Sequence, residues 1–150
     1  MATQSLTGAD TISIDGIPLI DLADGDVGDL TYPNELVGVK TGKNGNSIYA
    51  LNSTGQQADL VIRVVGGSTD DKTLNSRMVQ MNNLWPAVST LTGQIVKKIG
   101  DGLGNVTNDI YDLSGGVFSK KVGATSNVEG DTEQAISVYT IKFTNSSRSL

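Results

Sequence analysis

Cysteine and histidine are both missing from this 150-residue chain. Without cysteine there is no disulfide, no thiolate nucleophile and no cysteine-ligated metal or cluster. Without histidine the usual general base and the commonest transition-metal ligand are gone as well. Aromatic residues make up only 5% of the chain, with Trp85 the single tryptophan, so there is little from which to build a sugar-stacking platform. No apolar run approaches the roughly 20 residues needed to span a membrane. Met1 leads into Ala2-Thr3-Gln4-Ser5 with neither a basic segment nor an apolar stretch. That start predicts synthesis and retention in the cytosol, with no membrane partner.

Basic residues are absent from the first 39 positions. Up to Val39 the only charged side chains are Asp10, Asp15, Asp21, Asp24, Asp26, Asp29 and Glu35; lysines and arginines begin at Lys40. The formal charge of -5 disfavours a conventional nucleic-acid-binding surface. What the chain has in quantity is glycine, 18 residues, and an apolar share of 37%, enough for one compact core.

The pattern reads as mainly β. Thr11–Ile14 and Ile17–Ile20 flank Asp15-Gly16, a two-residue hairpin signal, and Pro18 places the second strand at an edge or bulge. Leu30–Tyr32 is a short strand. Leu36–Lys40 and Ser47–Leu51 flank a polar turn and form a second hairpin. Leu60–Val65 is β-branched and continuous, as in a strand buried on both faces. Gln94–Ile99, Val106–Leu113, Val117–Val122 and Ala135–Phe143 add further strands, with Ser114-Gly115-Gly116 read as a break and 123–130 as a loop. One segment is helical: Ser68 to Asp71 supply capping groups, and Leu74, Met78, Met81 and Trp85 recur on one face, widened by Leu84, until Pro86 stops the helix. These four are the expected packing residues. The sum is a single domain, 1–150, a β-sandwich or barrel with one flanking helix. The ends, 1–11 and 146–150, are expected to be flexible or to order only on assembly.

Candidate chemistry is sparse. Asp21, Asp24, Asp26 and Asp29 form an acidic loop whose oxygens suit calcium, but neither the glycine position nor a closing glutamate of an EF-hand is present. The spacing favours a solvated turn or a polar contact between subunits, with no metal. Gly100-x-Gly102-x-Gly104 lacks both the dinucleotide spacing and a following helix, so turns explain it better than phosphate binding. Asp70-Asp71 and Asp109/Asp112 are carboxylate pairs without a visible cleft. No catalytic residue, no cofactor and no enzymatic activity are expected.

Several segments stand in an order that resembles the phage tail tube protein family. An N-terminal hairpin leads to Leu22-Ala23-Asp24-Gly25-Asp26, followed by Val39-Lys40-Thr41-Gly42-Lys43-Asn44-Gly45 on a polar hairpin. Next come Asn52-Ser53-Thr54-Gly55, the strand Ala58–Val65, and Asp71-Lys72-Thr73-Leu74-Asn75 at the start of the helix. The resemblance covers Thr11 to Asn75, with weaker β-rich similarity beyond. It implies a subunit closing as a hexameric ring through inter-subunit β-sheet, with rings stacked as the inner tube of a contractile tail.

Such a tube is the conduit for genome ejection, DNA passing through the lumen without specific binding; an acidic lumen would repel it. Sheath, baseplate and tape-measure proteins are the implied partners, and the virion tail, assembled in the host cytoplasm, the implied location. The inter-ring or inter-subunit segment is expected at Lys40, Thr41, Gly42, Lys43, Asn44, Gly45, Asn46, Asn52, Thr54 and Gly55. Alternatives are a tail terminator or baseplate-proximal protein of the same fold, or the tube of a phage-derived bacteriocin or injection device. A monomeric calcium- or sugar-binding β-sandwich is the reading of a different class.

Overall fold

The computed structural model describes residues 6–7, 10–20, 22, 28–125 and 136–150. In chain order the strands are β1 (Leu6–Thr7), β2 (Thr11–Ile14), β3 (Ile17–Pro18), β4 (Gly28–Thr31), β5 (Val37–Thr41), β6 (Ser47–Leu51) and β7 (Ala58–Val65). Helix α1 (Thr69–Asn83) follows, then β8 (Leu91–Gly100), β9 (Val106–Phe118), β10 (Gly123–Thr125) and β11 (Ile136–Ser149). Among the described residues nine strands make one sheet along the path β3-β2-β8-β9-β11-β7-β4, with β1 beside β8 and β10 beside β11. All pairings are antiparallel. Strands β5 and β6 form a separate ribbon.

The mainly β architecture with one helix is the one the sequence predicts. Asp15 and Gly16 both have positive φ, 52° and 78°, the pairing a type I′ turn requires. Pro18 lies on the edge strand β3, where its missing N–H costs no ladder bond.

The sheet curls until its ends approach one another: a Cβ on Gly28 of β4 would lie 3.0 Å from Cδ1 of Ile12 on β2. Its concave side holds the core, built from Ile12, Ile14, Leu60, Ile62, Val64, Ile95, Leu113, Phe118, Tyr139, Ile141 and Phe143, with Leu74 of α1 packed among them. Strand β7 departs from the expected burial on both faces. Ala58, Leu60, Ile62 and Val64 are buried while the alternate residues are half-buried, so only one face of the strand belongs to the core.

Two further corrections concern β9 and β11. Ser114-Gly115-Gly116 does not break the chain into two strands; β9 runs through it and ends at Phe118, short of Val122. Gly115 adopts φ 68°, and β9 carries an extra residue against β8 at this level, a bulge. Gly116 lies under Phe143, whose Cε1 would be 2.5 Å from an added Cβ. The polar C-terminal segment is not a tail awaiting assembly. Residues 144–149 continue β11, with Ser146, Ser147, Arg148 and Ser149 opposite Leu113, Asp112, Tyr111 and Ile110. The loop read at 123–130 begins with β10, and its remainder lies outside the described residues.

Helix α1 starts as its caps predict. The Ser68 hydroxyl accepts from the Asp71 N–H at 3.2 Å, and the Asp71 carboxylate accepts from the Gly67 N–H at 2.8 Å, a reciprocal pair at the positive end of the helix dipole. Asp70 accepts from the Ile20 N–H at 2.7 Å. Asp15 binds the Thr92 N–H at 2.9 Å and pairs with Arg77, tying the first hairpin to both β8 and α1.

Of the packing face, Leu74 is 2% exposed and Met78 and Met81 rest partly buried against the core. Trp85 does not belong with them. The helix ends at Asn83, so Leu84 and Trp85 fall on the following turn and are 60% and 56% exposed. The residue-before-proline restriction acts from Pro86 and takes the last turn of the apolar stripe out of register with the core.

A candidate assembly surface

Among the described residues, exposed large apolar side chains concentrate on the β5–β6 ribbon. Val37 stands opposite Leu51 and Val39 opposite Tyr49, which puts four large apolar side chains on one face of the ribbon. Leu51 and Tyr49 are 79% and 72% exposed, and Val37 and Val39 are exposed beside them. On the other face lie Gly38, Lys40, Ala50 and Ile48. An isolated two-stranded ribbon is marginal in water, and an apolar patch of this kind marks a surface that something covers.

The predicted segment divides between the two ends of this ribbon. Lys40, Thr41, Gly42, Lys43, Asn44, Gly45 and Asn46 form the tip, where Gly45 takes φ 83° and the Gly42 N–H donates to the Asn46 carbonyl at 2.7 Å. Asn52, Thr54 and Gly55 are at the root. Asn52 Oδ1 accepts from the Thr54 N–H at 3.1 Å and caps a short turn over Ser53–Gln56. Gly55 is pressed against Leu36, whose Cα would be 2.8 Å from an added Cβ. The Ser146 hydroxyl donates to the Gln56 carbonyl at 2.9 Å, and the Asn34 amide donates to Gln57 Oε1 at 2.9 Å. The root is thus fastened to β11, and the ribbon projects from a fixed base.

Reading the sequence singled out the polar tip and missed Val37, Val39, Tyr49 and Leu51. Their alternation was visible as strand pattern, but nothing local to it says that the apolar side lacks a cover.

The convex face of the sheet is mixed: Val61, Val96, Ile110 and Val138 share it with polar side chains. Ser13, Gln94, Asp112 and Ser147 lie in one cross-strand row, in which the Gln94 amide donates to Asp112 at 3.1 Å. Among the described residues of the strands, Asp29, Asp59 and Asp112 share this face with Arg63, Lys98 and Lys142, a balance of charge. Asp29 pairs with Arg63 at 3.2 Å. The other acidic-loop residues, Asp21, Asp24 and Asp26, lie outside the described residues, and among the described residues no cluster of carboxylates is arranged for a metal.

Among the described residues, neither carboxylate pair singled out in the sequence faces a common cleft. Asp109 is buried, held by Arg148 at 2.8 and 2.9 Å, while its sequence neighbour Asp112 lies on the convex face. The Arg148 guanidinium also sits 5.4 Å over the Tyr111 ring. The hydrogen bonds from Arg148 hold the Asp109 carboxyl below its ordinary value against the opposing effect of desolvation. Asp70 and Asp71 are committed to backbone groups of Ile20 and Gly67. In the turn after β8 the carboxylate of Asp101 accepts from the N–H groups of Leu103, at 2.7 Å, and Asn105, at 3.2 Å. A phosphate in that loop would need the same donors.

No protein-family model matches the chain, and no curated protein matches its sequence. Solved structures do match its fold. A chain of the sheath–tube complex of an extracellular contractile injection system, PVC, in the extended state, aligns over 93% of this chain and 87% of its own, at TM-score 0.59 and 13% identity. The sheath/tube terminator of the same system aligns over 94% and 93%, at TM-score 0.59 and 14% identity. The tube-terminating cap of the anti-feeding prophage aligns over 93% and 87%, at TM-score 0.56 and 11% identity. The fold is therefore the tail-tube type, as the sequence resemblance implied.

Proposed function

We propose that this protein is a structural subunit that assembles into stacked rings forming the inner tube of a contractile tail or injection device. The observation that carries the proposal is the uncovered apolar face of the β5–β6 ribbon, on a chain that has the tail-tube fold over nearly its whole length. A ribbon projecting from a fixed root reaches a neighbouring copy. Rings close when strand edges pair between subunits in a fixed register, which removes the edges that would otherwise aggregate.

Six copies per ring and a phage virion as the location extend this reading, as do sheath, baseplate and tape-measure partners. In such a tube the convex sheet face lines the lumen. Its charges, balanced among the described residues, and its hydroxyl groups would make a near-neutral conduit through which DNA passes unbound. Catalysis has no part in this function.

Negative-stain electron microscopy over a concentration series tests the proposal. Hollow tubes are expected, and monomers persisting to the solubility limit would overturn it. Single rings that never stack would favour a second reading, a tube terminator. The fold similarity to the PVC terminator and to the anti-feeding prophage cap supports that alternative.

A further inference from the structure

A second exposed apolar surface lies between the C-terminal half of α1 and the end of β9. Two adjoining hollows of about 270 and 390 Å³ share Met81 and Phe118 as a common wall. The larger is floored by Met78, Val79, Met81 and Phe118 and rimmed by Lys120 and Lys121. Leu84 borders the smaller one, and Val79, Leu84 and the adjacent Trp85 are exposed apolar side chains.

Among the described residues the charges around this groove are of one sign: Arg77, Lys120 and Lys121 line the two hollows and no carboxylate does, on a chain with more acids than bases. Arg77 is engaged by Asp15, whereas neither lysine has an ion-pair partner among the described residues. An apolar floor with a cationic rim fits a segment with apolar anchors on one side and carboxylates on the other.

We propose that this groove docks an acidic amphipathic segment of a partner protein. The β5–β6 ribbon of a second copy is the wrong occupant, because residues 37–51 carry Lys40 and Lys43 and no acid. The proposal is independent of tube formation, since it concerns the helix flank of a single subunit.

The test uses the full-length protein and two fluorescent synthetic helical peptides, one built of leucine and glutamate and one of leucine and lysine, in fluorescence anisotropy. The Leu/Glu peptide is expected to bind in preference to the Leu/Lys peptide, and more weakly as salt is raised. The double variant Lys120→Glu/Lys121→Glu should lower its affinity roughly tenfold and reverse the preference. Val79→Ser, on the exposed helix surface, should weaken both peptides. Circular dichroism melts of the variants matching the parent protein establish that the fold is intact. Equal binding of the two peptides, or unchanged affinity in the lysine double variant, would overturn the proposal. So would loss of self-association in that variant, which would make a second copy the occupant.

Discussion

The hydroxyl of Tyr139 on β11 donates to the carboxylate of Asp71, in the first turn of α1, at 2.5 Å, and approaches the Asp71 carbonyl at 3.1 Å. This is where the helix is fastened to the sheet. Burial works to raise the Asp71 carboxyl, but hydrogen bonds from Tyr139, the Gly67 N–H and Ser137 outweigh it, leaving the group below its ordinary 3.8. Burial, followed by the bond to Asp71, pushes the Tyr139 hydroxyl well above its usual range.

Tyr139→Phe keeps the ring in the core and removes the bond. It should cost about 2 kcal/mol near neutral pH, as expected for a hydrogen bond to a charged group. Because the Asp71 value is depressed in the fold, its contribution is complete above 3.8 and is lost as pH falls through the folded value. The variant should therefore lose less stability on acidification than the parent, and chemical denaturation at a series of pH values checks this.

Leu74 and Trp85 look equivalent in sequence and should behave differently. Leu74→Ala opens a cavity in the core and should cost about 2–5 kcal/mol. Leu74→Asp should be at least as damaging, since it buries an unpaired charge. Trp85→Ala should stay within about 1 kcal/mol, because the indole is already largely in water. Thermal melts of the three variants decide it; a large loss at Trp85 would put the indole back into the core.

Local patterns made the hairpin at Asp15-Gly16, the cap at Ser68 and the strand character of Ala58–Val65 readable in the sequence. Each depends on residues a few positions apart. What was not readable depends on pairing across the sheet. On β11 the core-facing positions are Tyr139, Ile141 and Phe143. Beyond Thr144 the pairing with buried Leu113 turns Ser146 inward instead. The switch occurs opposite the bulge at Gly115, whose missing Cβ is replaced by the Thr144 hydroxyl. A period of two that changes phase midway hides the two faces of the strand and makes its second half look like a polar tail. The candidate surface was half legible for a related reason. The polar turn at residues 42–46 announces the ribbon tip, but the exposure of Val39 and Tyr49 follows from what the rest of the fold leaves uncovered.

Gly116→Ala tests the close approach beneath Phe143. The new methyl would meet two ring carbons and the Leu91 carbonyl, and the expected loss is about 1–3 kcal/mol. Phe143→Leu in the same chain should recover part of it by vacating the ring edge. Additive losses in the double variant, measured by urea denaturation, would mean that the two residues do not compete for space.

Arg148→Met removes the partner of Asp109 while keeping a long apolar stem over Tyr111. Stability should fall at neutral pH, because the carboxylate keeps its charge and loses its main stabilising contact. Adding Asp109→Asn should restore much of the loss. The Asp109 value is held low by Arg148, so the benefit of the pair is present above 3.8 and disappears as pH drops through the folded value. The melting temperatures of parent and Arg148→Met should converge in acid. A constant gap between them at all pH values would show that Arg148 acts through packing alone.

Ile48→Asp and Tyr49→Ser change opposite faces of the ribbon and so ask which one meets a neighbour. Both side chains are exposed, and each change should leave subunit stability within about 0.5 kcal/mol. Tyr49 belongs to the apolar face with Val37, Val39 and Leu51, whereas Ile48 lies beside Lys40. If the apolar face docks on the next ring, Tyr49→Ser should shorten or abolish tubes while rings persist, and Ile48→Asp should have the smaller effect. Electron microscopy with sedimentation of the assembled fraction reads both outcomes. Full-length tubes from Tyr49→Ser would remove the ribbon face from the contact. Loss of rings as well as tubes would move it from stacking to closure of the ring.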